Sequence, residues 1–307
     1  MALDSDALID RRRLKRRLTL WRLVALVAIV ALVAVAAGRA PQLSKISRSA
    51  RIAVFHVDGV ILSDPYRDEA VRDLVDDDRV AAMIVRIESP GGTTFGSESL
   101  YRALRAVAEV KPVVAVMDGV AASGGYMAAL AADYVVARES TITGSIGVIL
   151  EATNFVGLMD KLGIESESIK SGPLKAEPNP LSRMSPEARA ATKALVEDVH
   201  DMFVRMVAER RQMDGARARA LADGRVYTGA MAVDVGLIDG LGGVAEALTW
   251  LEEQRGIDPE LPQVDVEIEY PDRLIDRLIS AAFGKSHLTE RLKLDGLVSV
   301  WHPLVTE

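Results

Sequence analysis

After residue 50, continuous apolar runs alternate along the chain with segments whose apolar residues recur at helical spacing. Short, nearly continuous apolar runs, typical of buried strands, cover 52–57, 80–87 and 113–117. Apolar residues at helical spacing predict helices over 68–75, 97–110, 125–132, 185–213 and 229–235. We expect Ser97 to cap the second of these helices, and Pro186 and Glu187 to lie in the first turn of the fourth. Strands that alternate with helices in units of about 30 residues predict an α/β fold, a largely parallel sheet with flanking helices.

A different pattern precedes these elements. Residues 23–37 contain no polar group, and with 18–22 they form an apolar stretch long enough to cross a hydrocarbon core of about 30 Å as a helix. Residues 11–17 just before it are almost all basic. The positive-inside rule therefore keeps the N-terminus in the cytoplasm and exports everything after about Gly38.

A cleavable signal peptide is the alternative, because Val35-Ala36-Ala37 offers small residues for cleavage. Ten residues precede the basic cluster, however, and the apolar stretch exceeds the roughly 7–15 residues of a signal-peptide core. We therefore expect an uncleaved, single-pass anchor in a bacterial inner membrane. The sequence thus predicts five segments: a cytoplasmic basic segment 1–17, a transmembrane anchor 18–38, a linker 39–50, a folded domain 51–256 and an amphipathic extension 257–307. The extension either docks on the domain or contacts a membrane or partner.

Composition excludes several kinds of chemistry. The chain has no Cys, which excludes disulfides, thiolate metal sites and a cysteine nucleophile. Its four His residues form no metal-binding spacing, so we expect neither a metal nor a cofactor. Residues 1–17 carry six basic and three acidic side chains, so a net charge of −7 leaves −10 for the remainder. That acidic remainder argues against nucleic acid as a partner.

Glycine-rich turns follow two of the predicted strands, at 89–93 and 118–126. Parallel sheets place their sites beyond these carboxyl ends. Ser123 lies in the second turn, where it either caps the next helix or acts as a nucleophile. Gly124 and Gly125 allow a substrate carbonyl to approach, and Gly91-Gly92 could add a second N–H donor for an oxyanion.

A serine nucleophile needs a base, and no His lies next to a glycine turn in the sequence. A lysine can serve if its surroundings are apolar and free of carboxylates. Two candidates remain among the nine Lys. Lys170 follows Glu165 and Glu167, whereas Lys175 follows Gly172-Pro173-Leu174 in an apolar turn, which favours Lys175.

Several motifs occur together and in order. They are Ser89-Pro90-Gly91-Gly92, Ala121 to Tyr126, Thr143 to Val148, Lys170 to Lys175, Met184-Ser185-Pro186, Asp223 to Gly229 and Gly236 to Asp239. Over about residues 50–255 the chain thereby resembles the short, single-repeat members of the signal peptide peptidase A family. The resemblance implies a ClpP/crotonase-like fold and a Ser-Lys peptidase that degrades remnant signal peptides in the membrane.

By the same resemblance, Ser123 is the nucleophile, Lys175 the base, and the N–H groups of Gly92 and Gly124 bind the oxyanion. It also implies a homo-oligomer in which one subunit supplies the serine and its neighbour the lysine. The expected partners are thus apolar peptides, membrane lipid and further copies of the chain. Two alternatives stay open on the residues alone: a crotonase-type acyl-CoA enzyme and a non-catalytic scaffold.

Overall fold

The computed structural model describes residues 50–270 and the short strand at 298–300. The predicted cytoplasmic segment 1–17, the anchor 18–38, almost all of the linker 39–50 and much of the extension 257–307 lie outside these residues. In the described part of the chain, no helix combines the length and the apolar character needed to cross a membrane.

Strands and helices alternate along the chain. The strands are β1 (Arg51–Ile61), β2 (Val80–Thr93), β3 (Val113–Ala122), β4 (Tyr134–Ala137), β5 (Ile142–Gly144), β6 (Val226–Thr228), β7 (Gly240–Leu241), β8 (Gln263–Asp265) and β9 (Val298–Val300). The helices are α1 (Pro65–Asp73), α2 (Thr94–Ala108), α3 (Gly124–Ala129), α4 (Val156–Leu162), α5 (Pro186–Arg210), α6 (Gly215–Leu221), α7 (Gly229–Val235) and α8 (Val244–Arg255).

The strands form one sheet in the order β6-β5-β3-β2-β1-β8, with β4 and β7 continuing beside β3 and β9 beside β2. The central pairs β1–β2 and β2–β3 are parallel, whereas β5–β6 and β2–β9 are antiparallel. The prediction of an α/β fold with a largely parallel sheet and flanking helices is therefore confirmed. Strand β8 pairs with β1, so the sheet includes residues beyond 256.

Both faces of the central strands are buried, which explains why their sequences are almost continuously apolar. In β2, Met83, Val85 and Ile87 belong to the larger core cluster, which also contains buried apolar residues of α2, α3 and α5. Ala82 and Ile84 point to the opposite face, where they join a smaller cluster with residues of α8. The sheet thus lies between two layers of helices.

The start of α2 differs from the prediction. Thr93 is its N-cap, and the Thr93 hydroxyl accepts a 3.1 Å hydrogen bond from Gly96 N. Ser97 lies inside the first turn and is fully buried, so the expectation that it caps the helix is wrong. Thr93 and Ser97 lie four residues apart, and both carry a hydroxyl that can accept a capping hydrogen bond. The geometry of the turn decides that Thr93 is the cap.

Candidate active site

Ser123 occupies the junction between β3 and α3. Its φ of 54° and ψ of −115° place a non-glycine residue in a conformation that costs about 1–3 kcal/mol and is typical of functional sites. Its N–H donates a 2.8 Å hydrogen bond to Gly144 O, and the side chain makes no capping hydrogen bond with α3. Ser123 therefore occupies the N-cap position of α3 without a side-chain capping bond, and its strained backbone is held by the hydrogen bond to β5.

The two glycine turns pack backbone against backbone. A Cβ on Gly92 would overlap Ile61 O, and one on Gly125 would lie 2.7 Å from Ser89 O. A Cβ on Gly124 would overlap Ser97 Oγ and lie 3.1 Å from Gly92 N. The structure therefore brings the amide of Gly92 beside Gly124, the residue that follows Ser123. Glycine is required at these positions because no side chain fits between the turns.

One edge of β2 at this point is taken by a segment from the C-terminal part of the chain. Residues Gly91–Thr93 pair antiparallel with Val298–Val300. Gly91 and Gly92 also pair with Val60 and Ile61 of β1, so β9 must use the other edge of β2. That edge faces β3, whose end carries Ser123. A strand can therefore bind next to the serine.

A cavity of about 320 Å³ opens at Ser123. Its walls come from three segments that are distant in sequence: 145–149, residues 196–200 of α5, and 222–224. Val148, Ile149 and Val196 give it an apolar wall. The carboxylates at its rim are ion-paired, Glu197 with Lys193 and Asp223 with Arg225.

His200 also lines this cavity. No His is adjacent to a glycine turn in the sequence, but α5 packs across the turn that contains Gly224 and so brings His200 to the cavity wall. Its Nε2 lies 2.8 Å from Ala222 O, and since a carbonyl only accepts, Nε2 is the donor. The sequence carries no signal for this placement, since His200 lies on a helix 77 positions after the serine.

Neither candidate lysine lines the cavity among the residues that the structure describes. Lys170 forms a 2.7 Å ion pair with Glu177, and both side chains are largely buried. An ammonium held by a carboxylate is a poor base, which agrees with the preference for Lys175. Lys175 itself is exposed, and its N–H donates to Gly172 O at 3.2 Å. The role of Lys175 stays a prediction, as do those of Ser123, Gly92 and Gly124.

Lys175 lies on a segment that exposes many apolar side chains, which we call the 149–181 arm. Every residue of the arm is exposed or half-buried. Its exposed large hydrophobic residues are Ile149, Phe155, Leu158, Leu162, Ile164, Ile169, Leu174 and Leu181, and Ile169 is 97% exposed. So many exposed large apolar side chains on one segment are typical of an interaction site.

Comparison with known proteins identifies the family. The model of peptidase family S49 matches residues 105–258, half of the chain. The chain belongs to peptidase family S49. Ser123, Gly124 and Lys175 lie inside the matched region, whereas Gly92 precedes it.

Individual relatives carry protease names. A candidate protease of Synechocystis sp. is 37% identical over 230 residues, which are 74% of this chain and 82% of that protein. The chloroplastic serine protease SPPA of Arabidopsis thaliana is 34% identical over 75% of this chain but only 34% of its own length. A candidate signal peptide peptidase SppA of Enterococcus faecium is 34% identical over 60% of this chain and 54% of its own. This protein is thus an SppA-like serine-type S49 peptidase.

Proposed function

We propose that this S49 peptidase is a membrane-anchored endopeptidase with a ClpP/crotonase-like fold and a Ser-Lys dyad, and that it degrades remnant signal peptides. One observation carries the proposal: Ser123 sits in a strained turn at the start of α3, with the Gly92 amide beside Gly124. Acyl transfer needs this combination of a positioned hydroxyl and backbone donors.

The chemistry follows from these groups. Lys175, acting as a neutral amine, takes the proton of the Ser123 hydroxyl while Oγ attacks the scissile carbonyl carbon. The carbonyl oxygen becomes an oxyanion that accepts hydrogen bonds from the N–H groups of Gly92 and Gly124. The lysine then protonates the leaving amine. Water attacks the acyl-enzyme, the lysine accepts the proton of that water, and the proton passes to Ser123 Oγ as the acyl group leaves.

A peptide substrate suits both features beside Ser123. It binds as an antiparallel strand on Gly91–Thr93, the edge that β9 occupies in this structure, and main-chain hydrogen bonds supply its affinity. The side chain next to the scissile bond enters the 320 Å³ cavity, whose apolar wall favours small or medium apolar residues. Hydrophobic signal-peptide cores meet both requirements.

The lysine and the serine come from different subunits in this proposal. Lys175 is exposed on the 149–181 arm, whose apolar side chains need a covering surface. A second copy of the chain that covers the arm would exclude water from the lysine and bring it to the neighbouring subunit's Ser123. Exclusion of water disfavours the charged ammonium, and the lysine can then act as a base. A homo-oligomer therefore completes the site.

Localisation is proposed from the sequence. The apolar stretch 18–38 anchors the chain in a bacterial cytoplasmic membrane, with residues 1–17 in the cytoplasm and the peptidase domain on the outer side. That position brings the site next to the membrane in which signal peptides remain.

A serine-directed covalent probe tests the chemistry. We expect the wild-type chain to be labelled on Ser123 and to cleave an apolar peptide, whereas Ser123→Ala does neither. A non-catalytic scaffold would not be labelled. A crotonase-type enzyme would bind acyl-CoA and leave the peptide intact. Unlabelled, inactive wild-type protein would therefore refute the proposal.

A mixing experiment tests the shared site. Ser123→Ala and Lys175→Ala proteins are inactive alone, but after subunit exchange some interfaces would combine an intact serine with an intact lysine. We expect partial recovery of activity. If exchange is demonstrated by a label and no activity returns, each dyad forms within one chain.

A further inference from the structure

Ser97 carries a buried hydroxyl in the first turn of α2. The residue is fully buried, and its Oγ has no partner among the residues that the structure describes. Thr93 already caps this helix, so the Ser97 hydroxyl is not needed there. Buried polar groups are nearly always satisfied, and an exception calls for a functional or structural reason.

The hydroxyl lies beside the two residues predicted to supply the oxyanion donors. A Cβ on Gly124 would overlap Ser97 Oγ, and that same Cβ would lie 3.1 Å from Gly92 N. The Ser97 hydroxyl oxygen and the Gly92 amide nitrogen therefore both lie close to the Cα of Gly124, directly after the nucleophile. Gly92 comes from the end of β2, Ser97 from α2 and Gly124 from α3.

We propose that Ser97 is a third donor of the oxyanion site and hence a catalytic residue. This inference rests on the proposed function. When Ser123 Oγ bonds to the scissile carbon, the π bond of the carbonyl breaks and its electron pair moves to oxygen. The Ser97 O–H donates a hydrogen bond to that oxyanion and keeps its proton. Its unpaired state in the free enzyme means that no existing hydrogen bond must break as the charge develops.

A role of Ser97 in packing alone predicts a different effect of Ser97→Ala on activity. An unpaired hydroxyl that merely fills space can be replaced by a methyl group without loss of activity. An oxyanion donor that is unpaired in the free enzyme makes Ser97→Ala at least as stable as wild type but slower. Stability and turnover therefore change in different directions only if the hydroxyl acts in the transition state.

The test compares the wild-type full-length chain with Ser97→Ala and with Ser99→Ala as a matched control on the same helix. The Ser99 hydroxyl donates to Asp68, so its removal lowers stability but leaves kcat unchanged. For Ser97→Ala we expect kcat to fall about 10²-fold, with KM changed less than about twofold and an unchanged or higher Tm. A peptide aldehyde, which forms a tetrahedral adduct with Ser123, loses affinity by a similar factor.

Wild-type kcat and aldehyde affinity in Ser97→Ala would overturn the inference, and would assign the hydroxyl to packing or to a buried water. If that variant does not fold, Ser97→Cys retains a similar volume with a weaker donor. It is expected to lose part of the aldehyde affinity, and full affinity would overturn the inference. Inactive, unlabelled wild-type protein would instead refute the proposed function.

Discussion

Replacing Gly124 with alanine adds a single methyl group at the point where three parts of the site meet. The methyl would overlap Ser97 Oγ, lie 3.0 Å from Ser97 Cβ and lie 3.1 Å from Gly92 N. Gly124 is not among the glycines with positive φ, so alanine can adopt its backbone conformation. The whole penalty of Gly124→Ala is therefore steric, and it falls mainly on Ser97 of α2 and then on the turn that contains Gly92.

The size of the effect follows from two opposing contributions. Inserting a methyl group into a packed interior costs about 1–3 kcal/mol. Alanine gains up to about 1 kcal/mol over glycine in a helix, so we expect a net destabilisation of about 1–2 kcal/mol. Moving one oxyanion donor out of position costs roughly 10²–10³ in kcat. Activity should therefore suffer more than stability.

Urea unfolding and peptide hydrolysis measure the two effects. Gly157→Ala is the matched control, because Gly157 also lies in the first turn of a helix but has open space around it. We expect this control to be neutral or slightly more stable, with unchanged kcat. Adding Ser97→Gly to Gly124→Ala removes the overlapping atoms and should restore part of the lost stability, but not the activity. A Gly124→Ala protein as stable and as active as wild type would refute the packing of the turns.

Four further outcomes are expected. Lys175→Ala abolishes peptide hydrolysis, whereas Lys170→Ala stays active; the reverse result, by kinetics on purified protein, would exchange the two roles. His200→Ala keeps most of its kcat, because Nε2 is bound to Ala222 O and a lysine is the base; loss of activity comparable to Ser123→Ala would make His200 the base instead. A chain that ends at residue 297 lacks β9 and should show a lower KM for peptides at unchanged kcat; an unchanged KM would mean that peptides use another edge. A peptide panel should give the fastest cleavage with apolar side chains next to the scissile bond, and preference for charged ones would contradict the binding of that side chain in the cavity.

The central fold could be predicted because local pattern and tertiary environment agree there. The apolar runs that predict β1, β2 and β3 are buried on both faces, so a continuous apolar sequence is what their environment requires. Helices α5 and α7 begin where the sequence places Ser185 and Gly229. Prediction failed where neighbouring residues compete for one task, as Thr93 and Ser97 did for the cap of α2.

The sequence by itself determined the α/β order of elements, the two glycine turns and the serine between small residues, since each depends on residues adjacent in the chain. The tertiary structure decided which distant groups meet at Ser123. It brings the Gly92 amide and the Ser97 hydroxyl to Gly124, moves His200 into the cavity, and leaves Lys175 exposed on the arm. These contacts depend on how α2 and α5 pack on the sheet. Packing angles are set by the summed shape of many side chains, and no local pattern encodes that sum.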